Sequence, residues 1–288
     1  MRFKLYTGVS ESLGEGVYKL MPYAGMPGLL LTGSEDDKAY ELWAKVKIVD
    51  SDRASLIAGF SEDENYKKRY VEFCLDAAQQ RLTLYLMIES ESSMPVEALV
   101  RAYNVQRNKD YFCGIRLKDD YVLCYIDDVE VFRFDYLGEV LQAGLRGFKV
   151  DGADGKYAVF SDVFAADYGA RDFCDKIYGR VKLSPVEVPY PRAWQLIQNA
   201  LKTAESELDK ELDFLNLTHD EELLLLDLAG IYFLCYATGG TATGLSFRLG
   251  DLSVTPVQSS EAASLFTQLQ NEVYNLLLKL KQPYVGIV

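Results

Sequence analysis

The chain has 288 residues, of which 49% are hydrophobic and 25% charged, and a formal net charge of −13 at neutral pH. The composition is typical of globular domains and argues against a large disordered region. A surface this acidic repels phosphate, which argues against nucleic-acid binding as the main function.

The start of the chain, MRFKLYTGVSESLG, lacks the apolar core of a signal peptide. The longest apolar run, LLLLDLAGIYFLCYA from Leu223, is interrupted by Asp227, and we interpret it as a buried helix rather than a membrane span. The five cysteines have no CxxC spacing, which predicts buried, reduced thiols instead of disulfides or a zinc site. We therefore expect a protein made in a cytosol, with no membrane association and no cofactor.

From about residue 40 to 166 the hydrophobic period is two. YELWAKVKIV and RLTLYLMI are the clearest examples, because every second residue is apolar. Further short runs of this kind follow, separated by turns such as NKD, KDD and DGADG. Many short antiparallel strands predict a β-sandwich or jelly roll.

Two longer segments strengthen this interpretation. IRLKDDYVLCYIDDVEVFRF and GLRGFKVDGADGKYAVFSDVFAAD resemble the closing strands of concanavalin-like and laminin-G-like sandwiches. The resemblance covers about residues 35 to 168. It implies a concanavalin-like β-sandwich domain over residues 1–170.

The period then becomes helical. Residues 171–190, which include LSPVEVPYPR, are predicted as a linker, and residues 191–288 as a small helical bundle. A first helix is expected from Pro191 to about Leu215. A second opens at the THDE capping box, and a third runs from Ser259 or Ser260 until Pro283. The predicted fold class is thus multidomain, β then α: an antiparallel sandwich followed by a helical bundle.

Catalytic residues are sparse in this sequence. Glycoside hydrolases on concanavalin-like folds need two facing carboxylates. Glu72 and Asp76 could share a sheet face, but charges on a solvent-facing strand explain them better. His219 is the only histidine and lies inside the capping box, where polar residues are common. We therefore predict no enzymatic activity.

Two loops could be mistaken for ligand sites. GGTATG, residues 239–244, has the glycines of a phosphate loop but no following lysine, so we interpret it as a helix exit. DGADG contains Asp151 and Asp154, which could bind calcium but are also the residues that a tight turn selects.

LSFRLGDLSV, between the second and third helices, resembles a segment of head–tail connector proteins of tailed bacteriophages. That family has the pattern I-x-x-E-x-I-G-D-x-S-V, and here Phe247 or Arg248 replaces its acidic position. The resemblance covers about residues 190 to 288 and implies a homo-oligomeric ring, expected as a dodecamer, under the phage portal. It also implies contacts with portal, tail or neck proteins, a place in the virion neck, and DNA that passes without specific binding. The matching residues are Phe247, Leu249, Gly250, Asp251, Ser253 and Val254.

A ring gives this segment a physical role. A short hairpin with an unpaired edge gains hydrogen bonds when it pairs with a neighbouring subunit. Packing of the hairpin on its own bundle is an equal alternative. The apolar tail PYVGIV is a further candidate contact, through Tyr284, Val285 and Ile287.

Two functions follow from these patterns. The first is a virion structural protein, a head–tail connector or adaptor with a β-sandwich decoration domain. The alternative is a carbohydrate-binding, lectin-like protein that its helical domain multimerises, with a glycan bound at the sandwich. The 20 tyrosines suit a sugar-stacking surface, although they equally suit sandwich strands.

Overall fold

The computed structural model describes residues 3–14, 16–62, 64, 67–88, 96–119, 121–135, 143–238, 247–249, 252–254 and 260–281. The chain divides into two compact units, Met1–Tyr168 and Gly169–Val288. The first is an antiparallel β-sandwich and the second is helical, so the predicted fold class is confirmed.

The described part of the first unit contains fourteen strands. They are β1 (Lys4–Thr7), β2 (Val9–Gly14), β3 (Val17–Met21), β4 (Gly28–Thr32), β5 (Ala39–Ile48), β6 (Arg53–Glu62), β7 (Lys68–Asp76), β8 (Arg81–Ile88), β9 (Val96–Ala102), β10 (Asp110–Lys118), β11 (Tyr121–Ile126), β12 (Val129–Asp135), β13 (Leu145–Asp151) and β14 (Ala158–Asp167).

These strands form two sheets with the main core between them. Sheet A has the order β1-β4-β13-β6-β7-β8-β9, and sheet B has the order β12-β11-β10-β5-β14-β3-β2. Alternate residues of each strand point into the core, since the side-chain period of a strand is two. Phe148 of sheet A and Phe160 of sheet B meet there, with ring centroids 4.3 Å apart.

The first four strands extend the predicted sheet region, which began near residue 40. β1 and β2 are largely exposed and so lack the alternation that marks a half-buried strand, whereas β4 is buried along its whole length. Gly8 lies between β1, which pairs with β4, and β2, which pairs with β3. Its φ is 80°, and a Cβ there would lie 2.4 Å from the Met21 carbonyl oxygen, so this corner requires glycine.

The described part of the second unit contains four α-helices: α1 (Ala170–Val181), α2 (Tyr190–Leu208), α3 (His219–Ala237) and α4 (Ser260–Lys281). The second and third predicted helices are confirmed as α3 and α4. Helix α1 lies where we expected linker. Its apolar residues at helical spacing, among many charges, pack into the helical core: Phe173, Cys174, Ile177, Tyr178 and Val181.

The first predicted helix is shorter than expected. Helix α2 ends at Leu208 because Asp209 takes a left-handed conformation, and Phe214–Asn216 forms a separate 3-10 helix. Leu212 is nevertheless buried in the helical core, which explains why the apolar period seemed to continue. Among the described residues, no helix is long and apolar enough to cross a membrane.

A charged cluster joins three helices of the second unit. The Arg180 guanidinium of α1 lies 2.5 Å from Asp227 of α3 and 2.6 Å from Glu272 of α4. Burial raises the pKa of Asp227 to about 6, and the attraction of Arg180 only partly offsets this effect.

We predict that Asp227→Asn stabilises the helical unit at neutral pH. The pKa of Asp227 is higher in the folded chain than in the unfolded chain, so its contribution to stability falls as pH rises from about 4 to about 6. At pH 7 the variant should gain on the order of 1 to 3 kcal/mol in free energy of unfolding. Urea unfolding at pH 4.5 and pH 7 measures this, and an equal difference from wild type at both values would contradict it.

We also propose that the two units fold independently. The inter-sheet core draws all its residues from the first unit, and the helical core draws all of its own from the second. Expressed alone, residues 1–168 should unfold cooperatively with a β-type circular dichroism spectrum. Residues 169–288 should give a helical spectrum. A non-cooperative melt of the first fragment would contradict the proposal.

Candidate functional site

The residues of the predicted subunit interface fall in two groups. Phe247–Leu249 and Leu252–Val254 form a two-stranded antiparallel sheet, in which Leu249 pairs with Leu252. The two strands of the predicted hairpin are therefore present and paired, and their use in assembly stays a prediction. The remaining interface residues, Gly250, Asp251, Tyr284, Val285 and Ile287, lie outside the described residues, as does the 239–244 loop.

The two aspartates of the DGADG turn have different partners. Asp154 accepts hydrogen bonds from the backbone N–H groups of Ala24 and Gly25, at 3.0 and 3.2 Å. Asp151 instead forms an ion pair with Lys149 at 3.1 Å. In the part of the chain that the structure describes, no three His, Cys, Asp or Glu side chains are grouped for a metal ion.

His219 and the cysteines have the structural surroundings that their sequence positions predict. His219 is the first residue of α3, and the Thr218 N–H donates to Glu221 Oε2 at 2.8 Å, as in a capping box. All five cysteines are free, and four of them are buried.

The outer face of sheet A, turned away from the inter-sheet core, carries an unusual set of polar side chains. We call it the polar face. Strand register places Asp151, Arg53, Asp76 and Arg81 side by side across four strands, so that their charges alternate in sign. Two further rows of paired residues, at the next alternate positions of the same strands, complete the set. The polar face consists of Arg53, Ser55, Glu72, Cys74, Asp76, Arg81, Thr83, Tyr85, Glu97, Lys149 and Asp151.

Glu72 lies on β7, the middle strand of the five that carry this face. One carboxylate oxygen accepts from the Ser55 hydroxyl at 2.7 Å, and the other accepts from Lys149 Nζ at 2.8 Å. Burial disfavours the charged form of Lys149, but the carboxylates of Glu72 and Asp151 outweigh it and raise the lysine pKa well above its ordinary value. Lys149 is therefore a fixed cation between two carboxylates.

Two further ion pairs lie on the same face. Arg53 Nε lies 3.0 Å from Asp76, whose other oxygen accepts from the Gln79 N–H at 2.7 Å. Arg81 lies 2.6 Å from Glu97. The face thus combines three cations with four carboxylates, and each cation contacts at least one of them.

An apolar patch adjoins the polar face on the same side of sheet A. Tyr70 lies where the two meet: its ring is 5.8 Å from Lys149 Nζ, and burial raises its pKa to about 12. The ring of Phe60 stacks on Tyr70 with centroids 5.9 Å apart. The other buried members of the patch are Leu29, Leu31 and Ile57.

The register puts Glu72 and Asp76 on one sheet face, as their spacing suggested. The expectation that they are solvent-facing charges is wrong, because both are buried and each forms an ion pair with a cation of the same face. Sequence reasoning missed their partners Arg53 and Lys149. Arg53 lies on β6, which is consecutive with β7 and pairs with it, whereas Lys149 lies on β13, far along the chain, and nothing local predicts that it meets Glu72.

No protein-family model matches the chain, and no curated protein matches it significantly. Among solved structures, carbohydrate binding module CBM66 from Bacillus subtilis is 17% identical, with a TM-score of 0.46, and the match covers 57% of this chain and 95% of that one. Galectin LEC-6 from Caenorhabditis elegans is 10% identical, with a TM-score of 0.36, and covers 53% and 95%. Alginate lyase A1-II′ is 10% identical, with a TM-score of 0.40, and covers 57% and 85%.

These likenesses concern the β-sandwich. With identities of 17% or less and TM-scores below 0.5, they identify no function. They include both binding proteins and an enzyme, and they give no support to the phage connector resemblance.

The central ion pair generates a stability prediction. Lys149→Met leaves the buried Glu72 carboxylate without its cation, which should cost about 3 to 5 kcal/mol of unfolding free energy. Glu72→Gln combined with Lys149→Met should recover most of this loss, because neither member of this pair is then charged. Guanidinium unfolding of the single and double variants measures the coupling.

Lys45 provides the matched control on sheet B. It pairs with Asp162 at 2.6 Å, but both side chains are exposed. Lys45→Met should therefore cost less than about 1 kcal/mol. Equal losses for Lys149→Met and Lys45→Met would contradict a structural role for the central pair.

Proposed function

We propose that this chain is a lectin-like protein that binds carbohydrate through the polar face of sheet A. The observation that carries the proposal is the polar face itself. It places polar and charged side chains in three rows across neighbouring strands, and the side chains of Arg53, Arg81, Glu97 and Asp151 are partly exposed.

This chemistry matches a sugar ring, whose hydroxyls both donate and accept hydrogen bonds. A carboxylate has about four lone-pair sites and a guanidinium five N–H groups, so the ion pairs leave both with bonding capacity.

The outer members of the polar face are within reach of a ligand. The side chains of Arg53, Asp151 and Glu97 are 36%, 29% and 43% exposed. Strands hold them, and strands position side chains more rigidly than loops do. Ser55, Cys74 and Thr83, in the row between them, are fully buried.

Binding without catalysis is the interpretation that we favour. A glycosidase pair needs one carboxyl group that protonates the leaving oxygen and a second that reaches the sugar. Glu72 and Asp76 are buried and contact Lys149 and Arg53. Their surroundings support a binding role, and the absence of enzymatic activity stays a prediction.

The helical unit enters the proposal as the part that multimerises the protein. The connector role, with its ring, its portal, tail or neck partners and its virion location, also stays a prediction. Electron microscopy of the purified protein distinguishes a closed ring from smaller assemblies.

Glycan binding is tested with a matched pair of aspartates. Asp151→Ala removes a partly exposed acceptor but leaves Lys149 paired with Glu72, so the fold should survive. Its affinity for the glycan that wild type selects on an array should fall at least about tenfold, the loss of about 1.4 kcal/mol. Isothermal titration calorimetry measures this.

Asp162→Ala, in the Lys45 pair of sheet B, removes the same charge from the opposite side of the sandwich and should bind as wild type does. Thermal unfolding of both variants checks that they are folded. Equal affinity in the two variants would place any glycan away from the polar face.

A further inference from the structure

The arrangement of charges on the polar face indicates which class of carbohydrate can bind there. Three cations, Arg53, Arg81 and Lys149, face four carboxylates, Glu72, Asp76, Glu97 and Asp151, which gives the face a net charge of −1. The pairs are close, with N–O distances between 2.6 and 3.1 Å. Each positive charge is therefore already neutralised by the protein.

We infer that the ligand of this face is an uncharged polyhydroxyl glycan, and that uronic-acid and sulfated glycans are excluded. The inference rests on the proposed function and adds the ligand class to it.

An anionic group would have to take a cation from its present partner. Asp76 is fully buried and Glu72 is 2% exposed, so neither can turn to water if Arg53 or Lys149 is drawn away. A buried carboxylate without a cation is strongly unfavourable. The protein as a whole carries −13, which adds long-range repulsion of any polyanion.

A hydroxyl group has no such conflict. It can donate to a spare lone pair of Asp151 or Glu97 and accept from a spare N–H of Arg53 or Arg81 without breaking an ion pair. These four are the outer members of the face, and their side chains are between 23% and 43% exposed. Hydrogen bonds to charged groups are stronger than those between neutral groups, so each contact contributes to affinity.

The experiment compares length-matched oligosaccharides of three classes on the full chain by calorimetry: neutral hexasaccharides, hexauronates and heparin-derived hexasaccharides. At least one neutral hexasaccharide should bind at least about tenfold more tightly than any anionic one, a difference of about 1.4 kcal/mol. The measurement is made at low ionic strength, because about 0.1 M salt already screens charges beyond about 10 Å.

A double variant tests whether the charge of the face causes the selectivity. Asp151→Asn with Glu97→Gln leaves Glu72 and Asp76 paired but changes the face from −1 to +1. This variant should bind hexauronate at least about tenfold more tightly than wild type does. The control, Asp162→Asn with Asp110→Asn, removes two carboxylates from ion pairs with Lys45 and Lys47 on sheet B and should show no gain.

The outcomes separate the ligand class from the function. A wild-type chain that binds a hexauronate or heparin fragment more tightly than every neutral glycan would overturn the inference while leaving carbohydrate binding intact. Equal gains for the sheet A and sheet B variants would also overturn it, because general charge would then be the cause. Wild type that binds no glycan of any class would overturn the proposed function itself.

Discussion

The pairing of Lys149 with Ser55, across β13 and β6, is the constraint on which the outer face of sheet A depends. In this register Lys149 reaches both Glu72 and Asp151, and Asp151 lies beside Arg53. A slip of one residue would turn the charged side chains of a strand into the inter-sheet core and its apolar ones outward. The cost of burying those charges therefore fixes the register, and the register in turn arranges the polar face.

The same constraint explains why a sandwich of ordinary core composition can carry so many buried charges. Glu72 and Asp76 lie on one side of β7, whose other side contributes Val71, Phe73 and Leu75 to the core. Because opposite charges alternate across the strands, desolvation of each is offset by a neighbour. Such an arrangement contributes little to the stability of the fold compared with apolar packing, but it restricts which ligands can bind to the face.

Much of this architecture could be predicted from local pattern. The alternation in YELWAKVKIV and RLTLYLMI identified β5 and β8, and the capping box at Thr218 placed the start of α3. The pattern failed where burial was unusual. Strand β4 is buried on both faces, so it has no alternation, and Leu212 is buried without being helical.

The polar face could be predicted only in part. The sequence GFKVD shows that Lys149 and Asp151 point away from the side of Phe148, and the spacing of Glu72 and Asp76 puts them on one face. That these residues meet depends on β13 lying between β4 and β6, a topology set by closure of the whole sandwich.

The N-terminal segment gives the sandwich an asymmetry that concerns its edges. A single stretch, Lys4–Gly14, forms the last strand of sheet A and the last strand of sheet B, with its bend at Gly8. Detachment of this one segment would uncover β4 and β3 together, leaving two rows of backbone groups open on the same side of the molecule. The eleven residues Lys4–Gly14 therefore cover an edge of each sheet, and if they detached, a corresponding segment from another molecule could take their place by strand exchange.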